Sequence, residues 1–186
     1  SFPTRRSSDL LTLALAQAAQ GGERFASKLA DWVWMLLEES TWVIPAHNPS
    51  LPGQSCPLTY SFREEADYID LFSAETGAML AWVCHFAGKA LDSITPLITQ
   101  RVKYELDRRI LKPYMKHDMN NWMGLDGRTV NNWNPWIVSN VLTVCAICEE
   151  DKEKRSTLAE RSMKILDCFT ATYHDDGGCD EGPSYW

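Results

Sequence analysis

A chain of 186 residues with 45% apolar residues can bury one substantial core. Its net charge of −7 argues against a nucleic-acid partner, which needs a basic face, but leaves room for a local basic groove that draws in an acidic substrate. No apolar stretch is long enough to span a membrane, so no membrane span is expected.

Residues 1–10, Ser1 to Leu10, match no element pattern and read like a translated sequencing adapter. They are expected to be non-native, as an expression scar would be. The first helical run covers about Leu10 to Gln20. Its stretch from Leu10 to Ala16 mimics the core of a signal peptide, but it continues through Gly21-Gly22 into a second amphipathic segment, as a helical hairpin does. That second run, about Glu23 to Glu39, carries Phe25, Leu29, Trp32, Val33 and Leu36 on one stripe. An irregular stretch rich in Pro, Asn, Ser and Gly follows, from Trp42 to about Phe62.

The third run, about Glu64 to Leu91, includes Ile69, Phe72, Met79, Leu80, Val83 and Phe86; Gly77 and Gly88 weaken it enough to suggest two pieces. The fourth spans about Pro96 to Tyr114, with Ile98, Val102, Leu106 and Ile110 on every fourth residue. A polar, Asn-rich loop runs from about His117 to Asn134. The fifth run, Trp136 to Cys148, is apolar on nearly every face and should be buried. The sixth, about Glu153 to Tyr173, carries Leu158, Ile165, Leu166, Phe169 and Tyr173 on one side. No segment alternates convincingly enough to be a strand, so the fold class is all-α, built from antiparallel helical hairpins. A bundle and a toroid fit this pattern equally well.

Of six cysteines, Cys145 and Cys148 form a C-x-x-C inside an apolar helical run with no second pair, which reads as buried free thiols. No metal or other cofactor is expected. Asp175, Asp176, Asp180 and Glu181 lack the D-x-D-x-D-G spacing of a calcium loop.

Two loops concentrate chemistry. Asn120-Asn121-Trp122 and Asn131-Asn132-Trp133 repeat one triplet, and the second runs into Asn134-Pro135-Trp136. Asn134 as an N-cap followed by Pro135 at the first helical position explains those two residues and leaves the others over. A side-chain amide can donate to a carboxylate without competing for its protons. The second loop, His174 to Trp186, packs four carboxylates, three glycines and a proline against Tyr185-Trp186, and is expected to continue beyond the last residue. A phenol such as Tyr185 is ready to act as an acid at neutral pH. The stretch with Arg101, Lys103, Arg108, Arg109, Lys112, Lys116 and His117 reads as a solvated helix face, with a polyanion-attracting groove as the alternative.

Taken together, Asn131 to Trp136, the helical hairpin after it and Asp175 to Trp186 resemble the heparinase II/III family of polysaccharide lyases. Glu38 to Asn48 and Asp70 to Thr76 look similar as well. The resemblance implies that residues 11–186 are an incomplete (α/α) toroid, whose C-terminal β-sandwich domain belongs to the full-length protein. It also implies β-elimination on an acidic polysaccharide, such as a glycosaminoglycan or alginate, and a periplasmic or secreted location. By position, Asn132 would neutralise the uronate carboxylate. Tyr185, 53 residues further on, would be the acid and a candidate base. Asn131, Trp133, Trp136, Glu181, His47 and Trp42 would line the substrate path. The sequence departs from the family where Trp133 stands in place of a frequent His. Two other classes stay open: a toroidal glycoside hydrolase acting on uronides through Asp176 or Glu181, and a non-catalytic glycan-binding helical module.

Overall fold

The computed structural model describes residues 2–47, 68–116, 118 and 121–178. Every regular element among them is helical: α1 (Phe2–Gln20), α2 (Ala26–Leu37), α3 (Leu71–Ile94), α4 (Leu97–Leu106), α5 (Lys112–Lys116), α6 (Trp133–Cys148) and α7 (Lys152–Thr170). A π turn, Asp107–Leu111, joins α4 to α5, and single 3-10 turns cover Pro45–His47 and Asn121–Met123. The long helix α3 is the hub, packing against α1, α2, α4 and α6, while α7 packs on α6. No described helix is long and apolar enough to cross a membrane.

Helix α1 starts earlier than its apolar pattern suggests. Nothing after Pro3 interrupts it, and a proline in the first turn removes an N–H that has no intrahelical acceptor in any case. Gly21 and Gly22, both at positive φ (69° and 66°), end the helix. Gln17 then ties the turn shut: its Nε2 donates to Gly22 O at 2.7 Å and its Oε1 accepts from Phe25 N at 2.8 Å. On α2 the expected stripe holds, with Leu29, Val33 and Leu36 in the core and Phe25 and Trp32 packed against it.

Helix α3 is one continuous element rather than two, and it begins at Leu71 rather than near Glu64; residues 64–67 lie outside the described ones. Its start is set by a capping box between Asp70 and Ser73. Gly77, read as a weak point, is a point of close approach: a Cβ there would lie 3.0 Å from Ile110 Cγ1.

The every-fourth stripe Ile98, Val102, Leu106 and Ile110 is buried throughout. On an ideal α-helix a strict spacing of four drifts by about 40° per step. The wide π turn at Asp107–Leu111 takes up part of that drift, so Ile110 still faces the core.

Helix α6 carries its core face on Ile137, Val138, Val141, Val144 and Cys145. Asp151 caps α7, its Oδ1 accepting from Glu153 N at 2.9 Å and Lys154 N at 3.2 Å, and so closes a short α6–α7 hairpin. Cys84, Cys145, Cys148 and Cys168 are free thiols; Cys56 and Cys179 lie outside the described residues. Burial pushes Cys84 up to about 12 and Cys148 up to about 11, so both remain protonated at neutral pH.

Candidate functional site

The Asn-rich loop is held down at both ends of its course over α7. Trp122 is buried, stacks on Tyr114 with ring centroids 6.3 Å apart, and donates from Nε1 to Ile69 O at 3.0 Å. The next turn needs Gly124, whose φ is +74° and whose Cβ, if present, would lie 2.8 Å from both Cys168 Cβ and Val130 Cγ1. Only a glycine can pass there.

Asn134 anchors the far end and corrects the sequence reading. Helix α6 begins at Trp133, with Asn132 at the cap position and Pro135 inside the first turn. Asn134 is therefore not the cap. It is fully buried, and its Nδ2 donates to Trp122 O (3.1 Å), Met123 O (3.3 Å) and Ile165 O (2.9 Å). Its Oδ1 is buried with no partner among the described residues. One side chain thus ties the loop and α7 to the start of α6, and the capping role passes to Asn131, whose Oδ1 accepts from Trp133 N at 3.2 Å. Sequence alone favours the cap because Asn-Pro at a helix start is so common; a three-carbonyl junction leaves no local signature.

Between this loop and the end of α7 lies a cleft of about 720 Å³. Asn121, Asn131 and Asn132 give it amides, Thr129 and Thr172 hydroxyls, and Tyr68, Trp133, Phe169 and Tyr173 aromatic surface. His174 and Gly178, the first residues of the terminal loop, line the same cleft. Asn132 is half-buried there, and its side-chain amide makes no hydrogen bond among the described residues. Burial, reinforced by the nearby Asp70, raises the Tyr68 phenol above its usual value and keeps it a donor at neutral pH.

Trp133 owes its position to a short chain of contacts. Asp70 is completely buried. Its Oδ1 caps α3 by accepting from Ser73 N at 2.7 Å. Its Oδ2 meets His47 Nδ1 at 2.8 Å and accepts from Ile44 N at 3.3 Å. The His47 ring in turn packs on Phe72 (centroids 5.7 Å) and on Trp133 (4.6 Å). His47 is therefore behind the cleft-lining tryptophan rather than among the lining residues. Neither Asp70 nor Tyr68 stands out as a site residue in the sequence. The D-x-x-S pattern at Asp70 signals only the cap.

Asp70→Ala is expected to cost about 2–4 kcal/mol, from the lost cap and the stranded Ile44 N–H and His47 ring. Asp70→Asn, which retains an acceptor for Ser73 N, should lose less. Urea titrations of the two variants measure the difference; equal losses would mean that the cap contributes nothing.

The remaining expected site residues are dispersed. Trp136 is 46% exposed and not part of the lining. Trp42 is buried, donating from Nε1 to Leu36 O at 3.0 Å beneath the Arg109 guanidinium, and is likewise outside the cleft. Glu181 and Tyr185 lie outside the described residues. Asp176 is exposed and uses Oδ1 to accept from Gly178 N at 2.8 Å, forming a turn at the cleft edge. The basic stretch is largely paired within the fold: Arg101, Arg108 and Arg109 meet Glu105, Lys103 meets Glu150 and Lys112 meets Asp107. His117 lies outside the described residues. Among the described residues no His, Cys, Asp and Glu cluster has the arrangement of a metal site. Among known proteins, no family model and no curated sequence matches this chain.

Proposed function

We propose that the chain is the helical part of a polysaccharide lyase that cleaves a uronic-acid glycan by β-elimination, its hairpins forming part of an (α/α) toroid. The observation that carries this reading is that one cleft is shared by the Asn132 amide and by the first residues of the loop leading to Tyr185. A cleft of amides, hydroxyls and aromatic rings suits a sugar, whose faces stack on rings and whose hydroxyls both donate and accept.

On this reading Asn132 donates to the uronate carboxylate and disperses the charge that develops as the C5 proton leaves. The electron pair released at C5 forms the C4–C5 double bond, and the bond from C4 to the glycosidic oxygen breaks. Tyr185, the candidate base as well as the acid, takes the C5 proton as its phenolate and passes it, as the phenol, to that leaving oxygen. The β-sandwich of the family would complete the cleft in the full-length protein.

The full-length protein, given acidic polysaccharides, is expected to release unsaturated uronate ends that absorb in the near ultraviolet. Saturated reducing ends would instead assign the site to a hydrolase, and binding without any product would assign it to a glycan-binding module.

A further inference from the structure

We infer that Asp70 and His47 are positioning residues for the cleft: the buried carboxylate fixes the imidazole, and the imidazole fixes the Trp133 ring as a platform for a sugar face. This rests on the lyase reading above only in making the ligand a sugar.

Capping α3 needs one oxygen of Asp70, and Oδ1 supplies it. Oδ2 serves a second task, which is to hold the turn from Ile44 to His47. It accepts from Ile44 N at 3.3 Å and meets His47 Nδ1 at 2.8 Å, while His47 N donates to Ile44 O at 2.9 Å. A carboxylate only accepts, so Nδ1 carries the proton and the ring is fixed with that edge toward Asp70. So held, the imidazole lies nearly parallel to Phe72 (interplanar angle 23°) and tilted by 53° against Trp133.

The backbone of Trp133 is set separately, by its N–H donating to Asn131 Oδ1. The cap thus decides where Trp133 starts, and the imidazole decides where its ring lies. Trp133 is half-buried and lines the cleft. An indole face in such a place stacks on the apolar face of a sugar ring, and a ring already held spares the ligand the cost of ordering it. The two residues before Asp70 serve the same cleft. Tyr68 lines it directly, and Ile69 O accepts from Trp122 Nε1 at 3.0 Å. Three consecutive residues therefore each govern one aromatic ring of the lining, which distinguishes Asp70 from a residue that only caps a helix.

The test separates the ring from the hydrogen bond. His47→Asn keeps a donor near the position of Nδ1 for Asp70 and removes the ring behind Trp133. Where that variant fails to fold, His47→Leu with Asp70→Ser, which needs no donor, takes its place. The protein is labelled with fluorotryptophan, and the Trp133 line is assigned by its loss in Trp133→Phe. That fluorine line is expected to be single and sharp in the native protein, and to shift and broaden or split in His47→Asn. Calorimetry with the tightest-bound of alginate, hyaluronan and heparin tetrasaccharides should show affinity falling about three- to tenfold in the same variant, the scale for one side chain that must be ordered on binding. Because His47 acts through Trp133, adding His47→Asn to Trp133→Ala should cost no further affinity. His47→Phe with Asp70→Ser, which restores a ring and keeps a cap, should recover the sharp line and most of the affinity. An unmoved line, an unchanged affinity, or a loss that adds fully to that of Trp133→Ala overturns the inference and leaves the lyase reading standing. No binding of any acidic sugar by the native protein removes the lyase reading, and the inference then stands or falls on the fluorine line alone.

Discussion

Glu105→Gln is expected to lower stability by about 3–5 kcal/mol, the usual consequence of removing one partner from a buried ion pair. The Glu105 side chain is 3% exposed and accepts from Arg101 Nε (2.9 Å), Arg108 Nη2 (2.7 Å) and Arg109 Nε (2.6 Å). Arg101 and Arg108 are more exposed, so water screens them and their shares are small. Arg109 dominates. Its guanidinium lies 4.6 Å from the Trp42 ring centroid and donates to Leu37 O and Glu39 O, while its Nη1 is buried with no partner among the described residues. Without the Glu105 charge, a nearly buried cation loses its counter-ion, and the exit of α2 loses its clamp. Replacing both partners, Glu105→Leu with Arg109→Met, is expected to restore at least half of the lost stability, since the pair contributes less than its breakage costs. Burial alone would raise the Glu105 carboxyl, but hydrogen bonds from Arg109 and Arg108 outweigh it and hold the group below its ordinary value. Its stabilisation is therefore present above the ordinary carboxylate range, near about 4.3, and is lost as pH falls through and below it. Urea midpoints measured from pH 7 down to pH 3 should fall for the native chain and fall less for Glu105→Gln. Parallel curves would show that Glu105 is not the titrating group.

The parts of this fold legible in the sequence are those set by local period. The stripe from Ile98 to Ile110 needed only helix geometry to read, because its members share one buried face, whereas α6, expected to be buried on nearly every side, buries only the face of Ile137, Val138, Val141, Val144 and Cys145 and leaves Trp136 exposed. What escaped depends on partners far away. Gly77 weakens a helix by propensity, yet here it admits Ile110 from another element. Asn134 has the local marks of a cap, yet it bonds Ile165 O, 31 residues away. The basic stretch reads as a solvated face, and Lys103 and Lys112 are exposed and Arg108 half-buried, but Arg109 turns inward to Glu39 O, 70 residues away. For the cleft, the Asn-Trp loop was recognisable as unusual, but Tyr68, Phe169 and Tyr173 entered only once the chain had folded around it.

The same distinction between bonded and unbonded asparagines sets the largest expected effect on turnover. On the lyase reading, Asn132→Ala should lower kcat by about 10²–10³, the usual loss when one donor to a developing anion is removed. Stability should change little, because the Asn132 amide makes no hydrogen bond among the described residues. Asn132→Asp should be worse still, since it sets a like charge against the uronate carboxylate and opposes loss of the C5 proton. Tyr185→Phe should lower kcat by about 10²–10⁴, the range for a lost general acid. The two residues would act on one transition state, Asn132 on the charge gathering at the carboxylate and Tyr185 on the charge leaving with the glycosidic oxygen, so their losses should not add. Initial rates of unsaturated-end formation for the two single variants and the double variant measure this directly, with circular dichroism confirming that each remains folded. Near-native turnover by Asn132→Ala would remove the carboxylate-neutralising role. Near-native turnover by Tyr185→Phe would move the acid elsewhere, and Tyr68, a protonated phenol lining the same cleft, is then the next residue to replace.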